Sequence, residues 1–182
     1  MLDKSNGLKT VCDQFQSATN MTDKTSALNL LINHDKDDTY ASSALADFYC
    51  QYKNENLVVN LWLQLQATNQ QPGGLSRVQS LMEHESFSIK NPNKVRSLIG
   101  SFASSNHLNF HDKLGTGYEF LGEQILKLNT LNPQVAARLV TPLTRWSDYE
   151  EPYANLMKKQ LKVIKASPGL VSDVYEVVTK SL

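Results

Sequence analysis

Gln134, Arg138, Thr141 and Arg145 recur at helical spacing, so they share one face of a helix read over residues 131–146. Arg96, on an earlier helix, shares its face with Asn93 and Gly100. A guanidinium beside an amide side chain can hold a carboxylate or a peptide carbonyl through forked hydrogen bonds. The same residues on a solvated helix would make only weak surface ion pairs. From residue types alone the solvated reading is favoured. The alternative is the wall of a site.

The other candidates for chemistry are weaker. His107 and His111 have the i, i+4 spacing of a zinc helix, but no Glu follows the first His as general base. Their neighbours Asn106, Asn109 and Asp112 favour loop over helix, so a loop with partly buried imidazoles is expected. In Met82-Glu83-His84-Glu85 no second His follows at the needed distance. Gly115-Thr116-Gly117 has neither a preceding strand nor a Lys, so it reads as a turn and not as a phosphate loop. No Ser, Thr or Cys nucleophile stands in a recognisable context. By motif the chain has no catalytic centre and no metal site of its own.

These side chains must be carried by helices. Apolar residues repeat with helical spacing nearly everywhere, and no alternating strand is evident. Leu8, Val11, Cys12 and Phe15 define a first helix. Thr22 or Asp23 caps a second, with Ala27, Leu28, Leu30 and Leu31 inside it. Residues 35–38 form a charged turn. Tyr40 and Phe48 belong to a third helix; Leu57, Leu61, Trp62 and Leu65 line a fourth. Gln71-Pro72-Gly73-Gly74 is the strongest breaker in the chain. Asn91-Pro92 and Asn132-Pro133 open two further helices in the same way, with Asn as cap and Pro at the first helical position. Gly100, inside the first of these, is read as serving a close approach by another backbone. The two Asn-Pro starts lie about 40 residues apart, the period of helical solenoids. The expected fold is all-α, a superhelical stack of antiparallel helix pairs of the HEAT or armadillo kind.

A chain of 182 residues with zero formal charge and 41% hydrophobic residues can bury a core without metal or disulfide help. Strong nucleic-acid binders usually show a basic excess, which is missing here. The two cysteines, Cys12 and Cys50, are expected to be reduced and buried in a cytoplasmic protein. The N-terminus has no signal-peptide pattern, and the longest apolar run is too short for membrane insertion. Helical periodicity begins almost at once and runs to the end, as in a piece of something longer.

The stretches 91–103, Phe110-His111 with Gly115-Thr-Gly-Tyr118, and 131–139 closely resemble the C-terminal domain of the bacterial aminopeptidase N family, zinc metallopeptidases of the gluzincin type. Asn20-Met-Thr-Asp23, Gln71-Pro-Gly73 and Asp173-Val-Tyr-Glu176 are similar to it as well. The resemblance implies that residues 1–182 are one helical domain, the C-terminal domain of a longer aminopeptidase. The HExxH helix, a downstream Glu ligand and a Gly-x-Met-Glu-Asn segment lie in a catalytic domain of the same polypeptide, upstream. It also implies that this domain closes over the active site, and that Gln134, Arg138 and Arg96 face peptide substrates. Zinc is then a cofactor of the parent enzyme, and the isolated chain is inert. The competing expectation is a free-standing helical-repeat module that binds a partner on its concave face.

Overall fold

Side-chain caps decide where several helices begin. The computed structural model describes residues 4–182, and among them it contains helices and turns but no strand. The first helices are α1 (Lys4–Ser17), α2 (Met21–His34), α3 (Ala41–Tyr52), α4 (Asn56–Ala67) and α5 (Gly74–Met82). A single rod follows, made of α6 (Pro92–Val95), a π turn (Arg96–Gly100) and α7 (Ser101–Ser105). Then come α8 (His107–Phe110), α9 (Thr116–Leu131), α10 (Pro133–Leu139) and α11 (Thr141–Thr144). A 3-10 turn (Trp146–Asp148), α12 (Tyr153–Ala166) and α13 (Ser172–Ser181) complete the chain.

Helices pack pair on pair. α1 lies against α2, α3 against α4, α9 against α10, and α12 against α13. Successive pairs then stack in register: α9 meets α12 while α10 meets α13. This is the superhelical stack expected from the sequence. The rod is its central beam. Val95, Leu98, Ile99 and Phe102 are fully buried along it, and its π turn packs on α4. At about 1.5–3 kcal/mol for each buried side chain of this size, those four anchor the middle of the stack. One continuous core runs from Phe15 to Val178.

Both Asn-Pro starts behave as expected. The Asn91 side chain accepts from the N–H groups of Asn93 and Lys94, and that of Asn132 from Val135. At α2 the cap is Asn20, not Thr22 or Asp23. Asn20 accepts from the Asp23 N–H at 2.9 Å and donates to its carboxylate at 2.7 Å, so the pair close on each other.

Four other expectations need correction. Residues 131–146 are not one helix: Pro142 offers no N–H to the Arg138 carbonyl, and the chain breaks at Val140 before re-forming as α11. The buried face of α4 is Val59, Trp62, Leu63 and Ala67, whereas Leu57, in its first turn, is 81% exposed. Turn 35–38 is not simply solvated, because Asp35 is buried and accepts from the N–H groups of Tyr40 and Ala41, with Tyr40 lying just ahead of α3. The thiols are not buried: Cys12 is half-buried and Cys50 exposed. A fifth difference concerns glycine. A Cβ on Gly100 would meet the Leu139 side chain, Arg96 Cβ and the Val95 carbonyl, all at ordinary contact distance, while one on Gly117 would collide with the Phe110 carbonyl.

Candidate functional site: an arginine groove

Where the rod, α8 and the broken α10–α11 segment converge they leave a groove of about 470 Å³. The rod contributes Arg96, Ser101 and Ser104; α8 and its C-cap contribute His107 and His111. From the break come Arg138 and Thr141, and from the following turn Arg145 and Tyr149. Val135 and Leu139 form part of an apolar floor. The break at Pro142 does not remove Thr141 and Arg145 from Arg138, because all three reach the same groove. Gln134 is exposed on α10 but lies outside the groove lining.

The groove is electropositive in a chain of zero formal charge. Arg96 donates from Nη1 to the neutral amide of Asn93 at 3.1 Å. Arg138 has no hydrogen-bond or ion-pair partner among the described residues. Arg145 pairs with Asp148 at 3.0 Å, but both side chains are more than half exposed, so the pair screens little. Two uncompensated guanidiniums over an apolar floor favour a carboxylate or a row of carbonyl oxygens.

The histidines are organised differently from metal ligands. His107 and His111 stack nearly parallel, ring centres 5.8 Å apart. Nδ1 of His111 is 2.7 Å from the Tyr118 hydroxyl and Nε2 is 3.1 Å from the Tyr149 hydroxyl. Tyr149 also stacks on the His111 ring at 4.5 Å. Both ring nitrogens of His111 are therefore occupied by phenols. No group of three or more His, Cys, Asp or Glu among the described residues is arranged to hold a metal ion. Burial, then the neighbouring His107, lowers the His111 pKa from its ordinary value. His107 is exposed on a short helix and His111 half-buried at its end, where a loop with two partly buried imidazoles was expected.

Local caps hold this wall in place. Asn106 is fully buried, and its side-chain oxygen accepts from the Asn109 N–H at the start of α8. Its amide donates to the carbonyls of Ala67 at 2.9 Å and Asn69 at 2.8 Å, which ties α8 to the end of α4. Asp112 accepts from Thr116 and from the N–H groups of Leu114 and Gly117, fixing the entry to α9. Tyr149 and Tyr118 escaped sequence reasoning. Neither stands at a spacing that relates it to the arginines, and only the fold brings them to His111.

The family model described as "Domain of unknown function (DUF3458_C) ARM repeats" matches residues 1–182. Aminopeptidase N of Haemophilus influenzae is 39% identical over 181 residues, covering 97% of this chain and 20% of that protein. Aminopeptidase N of Escherichia coli is 38% identical over 172 residues, 94% of this chain and 20% of that protein. Among solved structures, a crystal structure of Legionella pneumophila aminopeptidase A in complex with aspartic acid superposes with a TM-score of 0.92 at 34% identity. It covers 99% of this chain and 21% of that one. The chain thus spans about a fifth of the length of these relatives.

Proposed function

Because the chain belongs to the family of ARM-repeat domains that form the helical C-terminal part of bacterial aminopeptidases N, we propose that it is the non-catalytic cap of a zinc aminopeptidase. In this reading the parent enzyme removes N-terminal residues from peptides. Zinc supplies its Lewis-acid chemistry in the catalytic domain of the same polypeptide. The groups of this chain hold no metal and move no proton in the reaction. They bound the active-site cavity, exclude bulk water and folded substrates, and seat the peptide beyond the scissile bond.

The observation that carries the reading is the pair of uncompensated guanidiniums, Arg96 and Arg138, over one groove. In a neutral chain such a groove calls for an anionic or carbonyl-rich ligand, and a peptide supplies both. Gln134, one helical turn from Arg138 and exposed, extends the polar face beyond the groove. This placement supports substrate-facing roles for Arg138 and Arg96, and the exposure of Gln134 on the adjoining turn is consistent with the same role.

The test uses the isolated chain and the parent enzyme side by side. With zinc and an aminoacyl arylamide the isolated chain is expected to be inert; turnover by it would sink the proposal. In the parent enzyme Arg138→Ala should raise KM for peptides of three or more residues about tenfold, as loss of a charged hydrogen bond does. Zinc content and arylamide turnover should hold. Peptide kinetics unchanged across lengths would remove the substrate-facing role.

A further inference from the structure

The Tyr118–His111–Tyr149 chain is used by nothing described so far, yet one end of it lies in the groove. Tyr118 is 1% exposed, and His111 Nδ1 is the one hydrogen-bond partner of its hydroxyl among the described residues. A buried phenol with a single partner donates its proton to it, because an unpaired buried O–H costs more than an unused lone pair. Nδ1 of His111 is then the acceptor. A neutral imidazole with Nδ1 accepting carries its proton on Nε2, so Nε2 donates to the Tyr149 oxygen at 3.1 Å. The Tyr149 hydroxyl proton has no partner among the described residues and is free to point into the groove that Tyr149 lines together with Arg96 and Arg138. Burial, which raises the Tyr118 phenol far above its usual range, keeps the first donor in the chain protonated.

We propose that Tyr149 is a specificity-determining hydrogen-bond donor to a carboxylate seated in the arginine groove, its direction set by Tyr118 through His111. The proposal rests on the groove being substrate-facing. Its ligand is the C-terminal carboxylate of a short peptide, which two guanidiniums and a phenolic O–H would recognise together. Tyr118 and His111 are positioning residues: they act on the carboxylate through the tautomer of His111.

The test compares an alanine tripeptide, its C-terminal amide and a single-residue arylamide, in the parent enzyme and in Tyr149→Phe, Tyr118→Phe and Arg138→Ala. Tyr149→Phe should raise KM for the free acid about tenfold and change it much less for the amide and the arylamide, neither of which carries a carboxylate. Tyr118→Phe frees Nδ1, allows the other tautomer, and should give part of the same loss of acid-over-amide preference. A merely structural phenol would not move that ratio. If Arg138→Ala shifts the peptide KM while Tyr149→Phe matches wild type, Tyr149 is no donor and the groove reading survives. If neither shifts, the groove reading falls and the proposal with it. Equal losses on all three substrates in Tyr149→Phe would make the residue structural and overturn the proposal.

Discussion

Removing the Asn106 side chain should unlock the wall that carries His107 and His111. Past Ala67, α4 has run out of backbone donors, because the N–H groups of Gln70 and Gln71 turn to the side chains of Asn33 and Asn69. The Asn106 amide therefore supplies the donor that the Ala67 carbonyl would otherwise lack. Its second bond, to the Asn69 carbonyl, has a partial substitute in Arg77 Nη1 at 3.4 Å. In Asn106→Ala one buried carbonyl is orphaned, at about 1–3 kcal/mol, and the α8 cap is lost, at about 1 kcal/mol. The total is about 2–4 kcal/mol, a fall of about 4–16 °C in Tm for a chain of this size. Asn106→Asp keeps the cap acceptor but sets a carboxylate against two carbonyl oxygens, so it should be the worse variant. Urea unfolding followed by far-ultraviolet circular dichroism measures both. An Asp variant as stable as wild type would refute the argument, since it would mean that the amide donors contribute nothing.

Glycine substitutions should split by surroundings. Gly117→Ala drives a Cβ into the Phe110 backbone and should cost about 3 kcal/mol or more. Gly7→Ala, inside α1 with open space around it, should stabilise by about 0.5–1 kcal/mol, and parallel thermal melts compare the two. His111 has a folded-state pKa below its unfolded one, so its contribution is fully present above the ordinary histidine range and is lost as pH falls through the folded value. Melting between about pH 8 and about pH 5 should accordingly cost wild type more than His111→Gln; equal slopes would deny the coupling. Trp146→Phe deletes the indole N–H donated to the Ser181 carbonyl at 2.7 Å. It should cost about 1 kcal/mol and speed hydrogen exchange in the last turn of α13.

What could be read from residues was mostly local. Asn91-Pro92 and Asn132-Pro133 announced their helices because both signals, a capping side chain and a fixed φ, act within a few residues. The period of α4 was harder. Leu57 and Leu61 fit a helical stripe as well as Val59 and Leu63 do, and only the position of the rod decides which stripe is covered. Asp35 resembled any solvated aspartate until its carboxylate was seen folded back onto the start of α3. Pro142 carried a readable signal that the neighbouring apolar pattern masked. The arginines were legible as a set, whereas Tyr149 was not, since it meets His111 across 38 positions.

The π turn at Arg96–Gly100 has a consequence for how this wall could have arisen. Its signature is the N–H of Ser101 reaching the carbonyl of Arg96, five residues back. One extra residue in a helix relaxes into such a turn while both flanks keep their packing. Val95 before it and Phe102 after it can thus stay in the core, while the bulge presents Arg96, Gly100 and Ser101 together to the groove. The length of the chain, as well as its composition, sets what this wall displays. A single-codon deletion of Ser97, a half-buried residue of the turn, would straighten the beam and shift the wall while leaving Leu98 and Ile99 to the core.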